Sequence, residues 1–311
     1  MYMCKVDVLL SVYNPDPQYL REQLLSLNNQ TYQNMEIIIF DDCVTQRCDT
    51  EVFKKYLKDK KYRILPYKSK NLGYTKAFEN LVKESDGQYI ALCDQDDIWL
   101  PEKIEECVNC LQKDNTVLVA TDRKLIDESG TIYCESVRHS TKVISEHWNT
   151  KDDIGVRNFF QACAPGMCMV MDGDFARSTI PFSENTGHDK WLLACANVNG
   201  GVSFLDKPLS YYRRSGKNVS GVLVGVADKN DYDEQRILPH LKLVEEFDRR
   251  YPGYKGTDLA YQIAYARMNH NIISLIKYRR FIPTLYKFEI ILACIPNWVA
   301  AYIIKFLHKI K

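Results

Sequence analysis

No stretch of this chain reaches the about 20 uninterrupted apolar residues that a bilayer-spanning helix needs. The strongest run, Ile290 to Ile304, is broken at Pro296-Asn297. An excess of one charge is missing too. Lys and Arg number 41 against 40 Asp and Glu, so no strong field marks nucleic acid as a partner. A secretory signal is also lacking, since Met1-Tyr2-Met3-Cys4-Lys5 leads directly into a strand pattern. The 11 cysteines are odd in number and follow no repeating framework. That argues against a disulfide scaffold and for small buried hydrophobes in a reducing cytoplasm. Cys107 and Cys110 have C-x-x-C spacing within a predicted helix, but no second ligand pair accompanies them, which speaks against zinc. The chain has neither internal repeats nor low-complexity tracts. Its 311 residues suffice for one large domain or two modest ones.

What stands out is Tyr89-Ile90-Ala91-Leu92-Cys93-Asp94-Gln95-Asp96-Asp97-Ile98-Trp99-Leu100-Pro101. An apolar strand pattern ends in three carboxylates within four residues. Adjacent carboxylates raise each other's pKa unless a cation neutralises them. Hard divalent ions prefer such oxygens and complete their shell with phosphate. An isolated D-x-D is more often a solvated turn capping the next helix. Its place at the carboxyl end of a strand, where α/β sheets bind ligands, favours a functional role.

The first half alternates strand and helix signals. Strands are predicted at Val6 to Val12, Met35 to Phe40, Tyr62 to Leu65, Tyr89 to Cys93 and Thr116 to Ala120. Between them, Asn14-Pro15-Asp16-Pro17 and Asn71-Leu72-Gly73 open helices. This rhythm implies β-α-β units and a mostly parallel sheet. The second half loses it. Asn158 to Met171 is apolar and cysteine-rich, broken by Pro165-Gly166; Lys190 to Asn197 reads as helix and Val202 to Leu205 as strand. Arg213 to Gly225 reads as a mobile loop, followed by helices near Asp233 to Arg249 and Asp258 to Tyr278. In the tail, apolar rings beside Lys305, Lys309 and Lys311 suit either the headgroup layer of a cytoplasmic leaflet or packing on the domain or in a homodimer interface.

Together these segments resemble family 2 glycosyltransferases of the GT-A fold, especially bacterial rhamnosyltransferases of capsule and O-antigen assembly. The resemblance spans about Val6 to Gly221. It rests on Val8-Leu9-Leu10-Ser11-Val12-Tyr13-Asn14, Ser26 to Tyr32, Glu36 to Asp42, Asn71-Leu72-Gly73 with Lys76, Asp94-Gln95-Asp96-Asp97-Ile98-Trp99, His188-Asp189-Lys190-Trp191-Leu192, and Tyr211-Tyr212-Arg213 to Asn218-Val219-Ser220-Gly221. Each motif alone is weak; their order is what is specific.

The resemblance implies an α/β GT-A fold with a Rossmann-like nucleotide-binding sheet, a smaller acceptor-binding half and C-terminal helices. A transfer domain would cover 1–225, split near 122 into nucleotide-sugar and acceptor halves, with a helical extension over 226–311. It further implies an inverting transfer from a UDP- or dTDP-sugar, rhamnose being the leading expectation, to an oligosaccharide or lipid-linked glycan at the inner membrane face. Ser11, Tyr13 and Asn14 would line the base and ribose pocket, and Asp42 would accept from the pyrimidine N3–H. Asn71, Gly73 and Lys76 would complete the donor site. Asp96, with Asp94, would hold Mn²⁺ or Mg²⁺ against the diphosphate. Arg213, Arg214 or Lys217 would neutralise that diphosphate, since Ser215 stands where relatives often carry a metal-ligating histidine. Asp189 would be the general base, although an aspartate there also reads as a helix cap. His188 would shape the acceptor pocket or pack on Trp191.

Three rivals are weaker. A sugar-phosphate nucleotidyltransferase would show a basic, glycine-rich loop where Tyr13-Asn14-Pro15-Asp16-Pro17 stands. An aspartyl phosphatase would carry its D-x-D after the first strand, not the fourth. A non-catalytic scaffold of the same fold gains weight from Ser215 and loses it to Asp94, Asp96 and Asp189.

Overall fold

A computed structural model describes residues 3–140, 146–214 and 223–310. In chain order the elements are β1 (Val6–Val12), α1 (Pro17–Asn28), β2 (Met35–Asp41), α2 (Glu51–Tyr56), β3 (Lys61–Ile64), α3 (Tyr74–Glu84), β4 (Tyr89–Cys93), β5 (Ile98–Trp99), α4 (Lys103–Asp114), β6 (Leu118–Ile126) and β7 (Ile132–Cys134). Then come α5 (Gly155–Phe160), β8 (Met169–Asp172), α6 (Gly173–Ser178), α7 (His188–Val198) and β9 (Val202–Arg213). Six helices close the chain: α8 (Lys229–Tyr232), α9 (Leu238–Arg250), α10 (Thr257–Met268), α11 (Ile272–Lys277), α12 (Tyr286–Cys294) and α13 (Asn297–Ile310).

One sheet runs β3-β2-β1-β4-β8-β6-β9-β5, with β7 on β6. Its first four strands are parallel, in the register Val6 to Met35 and Val6 to Tyr89. Strands buried on both faces read as unbroken apolar runs, and β1 and β2 do. Successive side chains point to opposite faces. Leu9, Ile38, Phe40, Ile90 and Leu92 therefore enter one core with α3, α6 and α7. Val8, Leu10, Ile37, Ile39, Ala91 and Cys93 enter the other, with α1, α2 and α4. Asp16 caps α1 by accepting from Gln18 and Tyr19 amides, and Pro17 takes its first turn.

The second half is less regular than the expected strand ends suggest. β6 and β9 run parallel and longer than the apolar runs that mark them, and their register shifts opposite Pro208. A proline lacks the ladder donor, so the strand passes it through a bulge. β8 is antiparallel to β4 and β6, and the two-residue β5 has no expectation behind it. Cys43, Cys93, Cys107, Cys163, Cys168 and Cys195 are buried, and all the cysteines are free.

The C-terminal helices share the first core. Leu243, Val244 and Phe247 of α9, Ala260 and Ile263 of α10, and Leu275 of α11 join it directly. Packing is thus continuous across position 225. The expected single helix over 258–278 is split at Asn269-His270-Asn271, where His270 adopts φ 48°. No helix among the described residues is long and apolar enough to cross a membrane. Ala300 and Ile304 of α13 are buried against Tyr232 and Leu292, while Trp298, Tyr302 and Phe306 are exposed.

Between these helices Arg267 and Glu289, each about 1% exposed, form a salt bridge at 2.6 Å, and Tyr232 Oη donates to the same carboxylate. Removing one partner of a buried pair strands the other charge. Glu289→Gln should therefore cost on the order of 3–5 kcal/mol in urea unfolding; a loss under about 1 kcal/mol would show water reaching Arg267.

Candidate active site

The site is assembled at the carboxyl ends of β1, β2 and β4, where the parallel ladder stops and backbone groups become free for ligands. Beyond β1, Ser11 is half-buried, Tyr13 is exposed and Asn14 turns through φ 42°, a left-handed value that asparagine tolerates. Beyond β2, Asp41 accepts from the Cys43 and Cys48 amides and shapes the loop. Buried Asp42 accepts from Asn71 Nδ2 at 2.8 Å, the Leu72 amide at 2.8 Å and the Gly73 amide at 2.9 Å. Burial raises its pKa, and the Leu72 and Gly73 bonds oppose the rise. Gly73, at φ 78°, turns the chain into α3. Asp42, Asn71 and Gly73 therefore form one hydrogen-bonded unit tying two loops together. Most of Asp42's acceptor capacity is spent inside the protein.

Past β4, Gln95 makes a contact that no motif signalled. Its Oε1 accepts from the Tyr13 amide at 2.8 Å and its Nε2 donates to the Tyr13 carbonyl at 3.0 Å. The side chain imitates a neighbouring strand and locks the β1 loop to the acidic loop. The D-Q-D spacing held this information, but a side-chain amide pairing with backbone 82 residues away leaves no periodic trace.

Asp94 and Asp96 are half-buried and Asp97 is fully buried. Burial first, then the charges of Asp96 and Asp189, push the Asp94 pKa up to about 7, with Lys103 opposing them. Burial also raises Asp96, and it raises Asp97 strongly, where the neighbouring carboxylates add to it. Asp97 accepts from the Arg213 amide at 3.0 Å, while its Oδ2 has no partner.

Arg213, expected at the diphosphate, is enclosed by protein groups. Its side chain is 1% exposed: Nε donates to the Asp96 carbonyl, Nη1 to the Asp127 and Glu128 carbonyls, and Nη2 to Glu22. Tyr19 stacks on the guanidinium at 4.2 Å. A group so enclosed clamps the acidic loop from beneath. Lys76 is likewise turned aside, to Glu79 at 3.0 Å and the Phe182 carbonyl. Arg214 is exposed. Ser215, Lys217 and the Asn218 to Gly221 motif lie outside the described residues.

Asp189 sits at the second position of α7, whose cap is Gly187, so the N-cap reading does not describe it. Its Oδ1 accepts from the Lys190 amide at 2.7 Å. A helix N-terminus favours a carboxylate there. His188 stacks on Phe78 at 4.1 Å and lies edge-on to Tyr74. Burial lowers its pKa, keeping it neutral, and neither ring nitrogen has a partner. A Cβ on Gly166 would stand 2.6 Å from its Nε2.

Hard oxygens that repel one another suit a divalent cation, and Asp94 with Asp96 offer them. The tightest acidic cluster among the described residues lies elsewhere. Asp7, Glu36 and Asp86 gather at the opposite strand ends, where Lys5 Nζ meets them at 3.2, 2.8 and 2.5 Å. That cluster already has its cation.

The model of "Glycosyl transferase family 2" matches residues 7–175. The chain belongs to this family. An uncharacterized glycosyltransferase of Rickettsia bellii is 31% identical over 221 residues, 70% of this chain. One of Methanocaldococcus jannaschii is 31% identical over 131 residues, 42% of this chain. The matches cover only 30% and 45% of those proteins' own lengths. Among solved structures, the 1–349 fragment of S. aureus TarS in complex with UDP-GlcNAc superposes with TM-score 0.59 at 15% identity, covering 92% of this chain and 88% of that one. The Pyrobaculum calidifontis mannosyltransferase PcManGT, in complex with GDP-Man and Mn²⁺, gives 0.57 at 12% identity over 99% and 81%. The GT-A fold is thereby shown.

A carboxyl pKa raised in the folded state means that this state holds a proton the unfolded chain releases. Stability is then present at low pH and lost as pH climbs from about 4, the unperturbed value, toward the folded value of about 7. In EDTA at pH 8, Asp94→Asn should therefore melt above wild type. The gain should be on the order of 1–2 kcal/mol, trimmed from about 1.4 per pKa unit by solvent at a half-buried group. The gap should close toward pH 5. Melting below wild type at pH 8 would contradict the electrostatic reading.

Proposed function

We propose that the chain transfers a sugar from a UDP- or dTDP-sugar to a glycan acceptor with inversion at the anomeric carbon. One observation carries this reading: Asp189 on α7 lies close enough to Asp94 beyond β4 for their charges to interact, so two separately built acidic elements face one space. The Asp42 unit and the exposed ring of Tyr13 would receive the nucleoside, with Ser11 and Asn14 beside them. Asp42 has room for one further donor, as a pyrimidine N3–H requires. Arg214 is better placed than Arg213 to meet the diphosphate. TarS with UDP-GlcNAc and PcManGT with GDP-Man support a nucleotide-sugar donor, and the Mn²⁺ of the latter supports a divalent ion.

Asp94 and Asp96 would hold that Mn²⁺ or Mg²⁺. When bound, such an ion offsets charge gathering on the departing nucleoside diphosphate. Asp189 would accept the proton of the acceptor hydroxyl as that oxygen attacks the anomeric carbon, in a single displacement with no covalent sugar–enzyme intermediate. His188, unpartnered and neutral, would form a wall of the same space. Residues 1–225 would then serve transfer, with 226–311 buttressing them. Rhamnose, and a lipid-linked capsule or O-antigen acceptor, remain the finer reading. The exposed Trp298, Tyr302 and Phe306 beside exposed Lys305 suit peripheral contact with an anionic inner leaflet.

Asp189→Asn should reduce transfer about 10²–10⁴-fold, the usual contribution of a positioned base, while donor affinity by titration calorimetry stays within about twofold. Equal collapse of affinity and turnover would make Asp189 a structural group.

A further inference from the structure

The residue after Asp189 enters a polar chain that is half-buried at Lys190 and His240 and fully buried at Arg267. Lys190 Nζ lies 3.0 Å from His240 Nε2 on α9. His240 Nδ1 lies 2.6 Å from Arg267 Nη1 on α10. Arg267 gives its remaining faces to Glu289 on α12. Phe160 covers the arginine at 5.4 Å and meets the His240 ring edge-on.

Proton counting fixes the direction of these bonds. A guanidinium has donors and no acceptor, so His240 Nδ1 must accept from Arg267. A neutral imidazole then carries its proton on Nε2 and donates it to Lys190. An ammonium cannot accept, whereas an amine can. The chain is satisfied throughout only when Lys190 is uncharged.

We propose that Lys190 is a positioning residue, which His240 and Arg267 favour as a neutral amine in the active form of the enzyme, so that Asp189 there keeps no cationic partner. The inference rests on Asp189 being the base. Without a neighbouring cation its carboxylate stays more basic, and its free oxygen is open to an acceptor hydroxyl. The C-terminal helices thereby act on the chemistry through one side chain. The surroundings agree. Burial pushes Lys190 down to about 8; Arg267 adds to this, and Asp189 with Cys163 oppose it. His240 is driven well below its usual range by burial and by Lys190, Arg267 and Arg236.

Turnover should then rise with pH through a group near 8, as Lys190 loses its proton and its charge beside Asp189. The test is the pH profile of kcat at saturating donor and acceptor, with folding checked by melting. In Lys190→Met that acidic limb should move down by about one unit or more, because no ammonium remains to titrate. Lys190→Arg, a permanent cation, should lower kcat about tenfold or more with donor KM within about twofold. His240→Gln should keep the limb near 8, since its amide oxygen can accept from Arg267 and its amide N–H can donate to Lys190.

An unmoved limb in Lys190→Met, or full turnover in Lys190→Arg, overturns the proposal. Should Lys190→Met not fold, His240→Gln decides: a retained limb supports the proposal and a lost one overturns it. Asp189→Asn separates the two readings. If it keeps wild-type turnover, the base assignment itself fails. If it is inactive while the Lys190→Met limb stays put, only the role of Lys190 fails.

Discussion

The architecture turns on one unfavourable arrangement, three carboxylates held together at the end of β4. Left alone, Asp94, Asp96 and Asp97 would protonate or push the loop into solvent. The protein holds the loop mainly through its backbone. Arg213 arrives from the end of β9 to grip the Asp96 carbonyl and, through its amide, Asp97. Gln95 ties the same loop to β1. The guanidinium pairs directly with Glu22, and its charge offsets the rise at Asp96 only in part. Raised carboxyl pKa values are the residue of that choice, and they leave Asp94 and Asp96 with an unmet demand for positive charge. Stability withheld at such a place is the usual mark of a site built for a ligand.

The rest of the fold serves to bring a fourth carboxylate to that edge. α7 crosses the first core with Trp191 to Ala196 fully buried, and Asp189 in its first turn is near enough for its charge to raise Asp94. Behind it stand α9, α10 and α12, whose polar chain ends on Lys190. Those helices are part of the same packed body as the sheet, so the position of Asp189 and the integrity of the C-terminal half, with its buried Arg267–Glu289 pair, are one mechanical problem.

The parallel half was legible in the sequence because its signals are local. β1, β2 and β4 are apolar runs ending in polar loops, and Asp16-Pro17 and Gly73 mark helix starts by backbone chemistry alone. Asp94 and Asp96 were legible for the same reason, as charge at a strand end. The mixed half was not. β8 hides inside a cysteine-rich apolar run, and β9 continues past Pro208, which reads as a stop until β6 supplies a bulged partner. The enclosure of Arg213 is not legible in the sequence, because the carbonyls of residues 96, 127 and 128 that surround it are brought together only by the fold. Gln95 and Lys190 escaped notice because their partners lie 82 and 50 residues away.

If the acidic edge serves a nucleoside diphosphate and a divalent ion, the two together should stabilise the fold. The most direct measurement is thermal stabilisation by UDP, dTDP, GDP and ADP, each with Mn²⁺, with Mg²⁺ and with EDTA. One pyrimidine diphosphate should stabilise the protein by roughly 2.7 kcal/mol at about 100 times its dissociation constant, and EDTA should remove most of the effect. No stabilisation by any nucleotide under any condition would contradict it and leave a family 2 fold that serves as a scaffold.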